Sequence, residues 1–121
     1  MKVPNVDHPI SIEPNLRRVV VRFNGQVIAE TTHALTLREA SYAPVQYVPR
    51  GDVAMKFLER SDHSTHCPYK GDASYYSLRV GERSQNNAVW SYETPFPAVY
   101  VIKDYVAFYP DKVDAIVESP R

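Results

Sequence analysis

The chain has 121 residues, which is room for one domain with one core, and folding at this size buries about two thirds of the surface that an unfolded chain exposes. Its 14 basic and 14 acidic side chains cancel, so no global field draws in nucleic acid or an anionic membrane. No run approaches the ~20 apolar residues that cross a bilayer, one cysteine cannot form an internal disulfide, and the first residues carry no apolar leader, which together predict a cytoplasmic protein.

Ten prolines, four glycines and nine tyrosines predict short strands joined by tight corners, since proline breaks helices and ladders while tyrosine suits half-buried pleated surfaces. Residues 1–16, with Pro4, Pro9 and Pro14, read as an extended lead-in lying against the domain. Asn24-Gly25 between two β-rich runs marks a two-residue type I′ hairpin. In that register Val21 faces Ile28. Val19, Val21, Phe23 and Ile28 share a dry face, with Arg18, Arg22 and Thr31 on the wet one. Residues 34–38 read as the next strand, Leu35 and Leu37 inward, Thr36 and Arg38 outward. Residues 45–48, bracketed by Pro44 and Pro49, read as an edge strand. Arg50-Gly51-Asp52 reads as a tight turn with Asp52 capping one helical turn through Met55.

Residues 57–60 return as a strand. Residues 74–80 and 85–92 form a second hairpin about Gly81-Glu82, glycine in the first central position suiting a type II′ turn. Such a turn pairs Tyr75 with Ala88 and Ala73 with Trp90, putting Tyr75, Trp90 and Tyr92 on one face; a bulge at Asn86 or Asn87 would alter the assignment. Residues 98–104 have room for a short helix begun by Pro97. Residues 105–109 and 113–117 read as a last hairpin around Pro110-Asp111.

Reactive groups concentrate between Asp62 and Tyr76, where two histidines, the thiol, an ammonium, two carboxylates and three phenols fall within fifteen residues. Cys67 is either a nucleophile, favoured by His66, His63 or Lys70 if cationic, or a buried, inert thiol. Structural zinc on His63, His66 and Cys67 is not expected, because such a site wants four ligands at hairpin-like spacing. Lys70 is the candidate for an anionic ligand group, with Gly71 permitting close approach and Asp72 orienting the ammonium. Read as an exposed charge, Lys70 matters to stability by less than about 0.5 kcal/mol. Tyr69, Tyr75, Trp90 and Tyr92 are either pocket walls for a flat ligand or plain core, with Arg50 or His66 at the pocket rim.

The run Thr65-His66-Cys67-Pro68-Tyr69-Lys70-Gly71-Asp72-Ala73-Ser74-Tyr75 resembles the signature of a bacterial family, domain of unknown function 427. So do His8–Pro14, Tyr47–Val53, Ala88–Tyr92 and Val106–Asp111, so the resemblance covers nearly the whole chain. It implies a small, mostly β domain of two antiparallel sheets meeting like a tent, sometimes labelled nucleotidyltransferase-like, with no established activity. No phosphate-cradling loop or paired metal-binding carboxylates support that label here. The expected architecture is one mainly β domain over residues 1–121, two antiparallel sheets, tent-like or sandwich-like, with one or two short helices. The leading function is binding of a small, partly anionic or aromatic metabolite in a pocket edged by residues 66–76, with any covalent step at Cys67 and His66 or Lys70 beside it. The alternative is a protein-interaction module or homodimer that uses a tyrosine-rich face.

Overall fold

Prolines and glycines keep most of the strands too short for more than two or three inward side chains each, and distant strands must therefore share their cores. A computed structural model describes residues 1–121 as ten strands: β1 (Ile10–Pro14), β2 (Arg18–Phe23), β3 (Gln26–Thr31), β4 (Leu35–Glu39), β5 (Val45–Tyr47), β6 (Leu58–Cys67), β7 (Gly71–Val80), β8 (Arg83–Tyr92), β9 (Val106–Phe108) and β10 (Ala115–Ser119). The protein is mainly β, as expected, but its strands make three antiparallel sheets rather than two, in the orders β1-β4-β5, β10-β2-β3 and β6-β7-β8-β9. Helical structure is confined to four 3-10 turns, one of them at Pro97–Ile102 where a short helix is predicted.

The Asn24-Gly25 turn has the positive φ of a type I′ hairpin at both residues, +49° and +75°. Phe23 pairs with Gln26, but a bulge between Val21 and Arg22 then sets Val21 against Ala29 rather than Ile28. Val21 and Ile28 are both buried all the same. The one-residue slip reverses the later part of β3, so Thr31, expected on the wet face, is buried and donates from its hydroxyl to Asp52 Oδ2 at 2.7 Å. Asp52 is thereby engaged and caps no helical turn. Thr36 keeps the side it shares with Arg38 and Gln46 but is buried there, donating to Gln46 Oε1 at 2.8 Å.

The predicted lead-in contains β1, which pairs with β4. The predicted last hairpin does not form: β9 pairs with β8 at Trp90–Ala107, and β10 pairs with β2. In the second hairpin Gly81 alone has positive φ, as a type II′ turn requires. A bulge between Tyr76 and Leu78 then moves the pairing by two residues, so Tyr75 opposes Trp90 and Ala73 opposes Tyr92. Asn87, at φ +49°, supplies the irregular backbone there.

The four-stranded sheet lies between two apolar clusters. The larger holds Val21, Phe23, Ile28, Leu78, Val89 and Val106; the smaller holds Leu37, Tyr47, Tyr75, Tyr92, Val99 and Ile102. It is the smaller, aromatic cluster that borders the chemistry-bearing hairpin.

Candidate functional site

Lys70 sits in the turn between β6 and β7, and the turn is held against the following loop by Phe96 N–H donating to the Lys70 carbonyl at 3.0 Å. Gly71 makes this possible, because its φ of +109° is one that a side chain strongly disfavours. The turn aims the Lys70 ammonium inward, where it donates to Glu39 Oε1 at the end of β4. Glu39 is only 7% exposed, and its other oxygen lies 2.7 Å from His8 Nε2. The His8 ring in turn stacks on Tyr69, with centroids 3.9 Å apart and planes within 3°. Burial alone would push the Glu39 carboxyl up, but hydrogen bonds and charge from Lys70 and His8 outweigh it and hold Glu39 below its ordinary value.

Beneath this pair lies a cavity of about 170 Å³ that takes in Glu39 and Lys70. Six aromatic rings wall it: Tyr42, Tyr47, Tyr75, Tyr92, Tyr109 and Trp90. The Lys70 ammonium is 5.9 Å from the centroid of the Tyr92 ring, within cation–π range. Trp90 Nε1 donates to the Tyr47 hydroxyl at 3.1 Å, and the Tyr75 and Tyr109 hydroxyls lie 3.2 Å apart. Burial pushes the Tyr47, Tyr92 and Tyr109 phenols up from their ordinary values, so they stay neutral. Lys70 uses one donor on Glu39, leaving up to two of its three for other acceptors.

Of the residues singled out in the sequence, Lys70, Tyr75, Trp90 and Tyr92 line this cavity. Tyr69 stands outside it, against His8. Cys67 is half-buried and packs on the same aromatic cluster without lining the cavity. His66 and Asp72 pair with each other at 2.7 Å on the exposed side of the hairpin, so Asp72 does not orient Lys70 and His66 is not turned toward Cys67. Glu39 takes the place assigned to Asp72. Arg50 belongs to the opposite face of the sheet, donating to the Tyr76 hydroxyl and Ser91 Oγ at 3.0 Å each. His63 meets the edge of Tyr75 with ring centroids 4.5 Å apart, so His63, His66 and Cys67 do not converge on a point where an ion would sit.

Glu39, Tyr47 and Tyr109, which line the cavity, and His8, which pairs with Glu39, escape a reading centred on residues 62–76 because they come from elsewhere in the chain. One signal was available: Leu35 and Leu37 set an inward alternation that Glu39 continues, and a carboxylate at an inward strand position needs a partner.

No curated protein matches the chain significantly. The family model described as a domain of unknown function, DUF427, matches residues 11–119. With so nearly the whole chain covered, from β1 to the end of β10 and including every strand that walls the cavity, the protein belongs to the DUF427 family.

Proposed function

We propose that the Lys70–Glu39 cavity binds a small, single-ring, partly anionic metabolite. The supporting observation is the buried ion pair itself, one ammonium and one carboxylate in the lining of an otherwise apolar, largely aromatic cavity. Burying charge is costly, and a structural role alone would be served about as well by apolar side chains of similar volume. Size limits the ligand: a cavity of about 150 Å³ holds benzene, and this one measures about 170 Å³. The aromatic walls suit a flat ring, while the spare Lys70 donors suit a carboxylate or carbonyl on it. The aromatic residues here surround a concavity instead of forming a flat exposed patch, which favours a ligand over a protein partner. The reading is binding without a covalent step, because Cys67 lies outside the cavity and His66 faces away from it.

Trp90 is the sole tryptophan and forms part of the wall, so its fluorescence reports occupancy directly. Titration with benzoate should give a saturable change, benzylamine a weaker one, and the Glu39→Gln/Lys70→Met double variant none. If benzoate gives no saturable change at millimolar concentration, or binds the double variant equally, the reading is wrong.

A further inference from the structure

A second cavity of about 330 Å³ lies between the β10-β2-β3 sheet and strands β5 and β9. Its lining is chiefly apolar: Val19, Val21 and Val48 form a buried floor, and Pro44, Pro110 and Ile116 offer the accessible surface. The polar groups at its edge are already engaged: Gln46 Oε1 and Glu118 Oε1 both accept from Asn15 Nδ2, at 2.9 and 3.0 Å. No cationic side chain lines this cleft, so it can hold apolar matter but has nothing to grip a charged head group. The Lys70 cavity has the opposite character, with a cation and little room.

Val45 and Trp90 line both spaces, so one layer of side chains separates them. Trp90 therefore has open volume on two sides, whereas protein interiors are ordinarily close-packed. Its ring donates one hydrogen bond to Tyr47, meets the Tyr47 ring edge-on at 6.3 Å, and packs tilted on Tyr109 at 4.5 Å against the smaller cluster. Joining the two spaces requires the Trp90 side chain to turn within these contacts, its backbone staying paired with Tyr75 and Ala107.

We propose that the cleft and the Lys70 cavity are the tail and head subsites of one ligand, an amphiphile with a small anionic head and an aliphatic chain. This rests on the reading of the Lys70 cavity as an anion site. By the benzene comparison the cleft holds about a dozen carbon atoms, at roughly 150 Å³ per six-carbon ring. Trp90 is the residue over which the chain passes.

The test compares benzoate, butanoate, octanoate and 1-octanol by calorimetry and Trp90 fluorescence on three proteins. These are the wild type, Ile116→Phe, which fills the cleft from a half-buried position, and the Glu39→Gln/Lys70→Met variant. Each methylene that enters the cleft should tighten binding by up to about fourfold, so octanoate should exceed butanoate by at least about tenfold. Ile116→Phe should remove that gain and leave benzoate unaffected, and the double variant should bind octanoate no better than 1-octanol. Pro44→Phe at the exposed mouth of the cleft replaces Ile116→Phe if that variant melts early. Equal binding of octanoate and butanoate, or a gain that survives both cleft substitutions, overturns the proposal. If 1-octanol matches octanoate while benzoate still binds, the spaces are independent: the single-ligand proposal fails and the Lys70 reading stands. If octanoate binds and benzoate does not, the head subsite is wrong and both fall.

Discussion

Glu39 is the residue whose environment explains most of the site. Its carboxylate is buried, so each partner on it has a structural role. The sequence suggested that Lys70 is an exposed charge of little consequence to stability, yet its side chain is only 12% exposed and paired. Lys70→Ala should therefore destabilise the protein by about 2–3 kcal/mol, less than the full cost of orphaning a buried charge because His8 remains. The Glu39→Gln/Lys70→Met pair should recover most of that loss. The pH dependence has a definite sign. In the wild type the Glu39 carboxyl is held below 4.5, so its stabilisation is present above that value and is lost as pH falls through the depressed one. Without Lys70, burial pushes the carboxyl up, so the variant's penalty is greatest at neutral pH and eases as Glu39 takes its proton. Thermal melts of the two proteins should converge on acidification; a gap that stays constant between neutral and acidic pH would mean that Glu39 is not the group involved.

Among the strands and their connections, turns were legible and bulges were not. Asn24-Gly25 and Gly81-Glu82 announce themselves because turn chemistry is local, a matter of which residues tolerate positive φ. The bulges depend on how whole strands pack, and their consequences differed by parity. A slip of one residue near Val21 turned Thr31 inward, contrary to the sequence reading. A slip of two beside Asn87 kept Tyr75, Trp90 and Tyr92 on one face although their partners were misassigned, but it sent Ala88, expected opposite Tyr75 on that face, into the larger cluster. Two glycines give a measurable contrast. At Gly25, φ +75°, an added Cβ meets open space, and Gly25→Ala should cost about 1 kcal/mol. At Gly71, φ +109°, the backbone lies beyond the left-handed helical region, and Gly71→Ala should cost about 2–3 kcal/mol. A methyl there would touch Thr94 O at 3.5 Å, an ordinary contact, so the cost comes from the backbone and not from crowding. Chemical denaturation of both variants checks the order, and an equal or smaller loss at Gly71 would contradict it.

Across the molecule, the pairing of distant strands was the part the sequence hid. β10 closes on β2 and β1 on β4 without any local signal, while the expected hairpin between β9 and β10 had good turn composition and did not form. Hydrophobic alternation says that a strand has two faces, but not which strands will cover them. The four-stranded sheet is covered on both faces. In β9, Val106 and Phe108 enter the larger cluster and Ala107 the smaller; in β7, Leu78 enters the larger and Tyr75 the smaller. Losing either cluster would thus strip one face from strands whose other face is still packed. The smaller cluster, with 8 buried residues, has too little core to stand alone. Unfolding should accordingly be a single cooperative step. Trp90 fluorescence reads the smaller cluster and far-UV circular dichroism reads all three sheets, so their denaturation curves should superimpose. If the Trp90 transition came first, the aromatic cluster would be a separately melting unit, and the cavity it walls would be open in a substantial fraction of molecules before the sheets are lost.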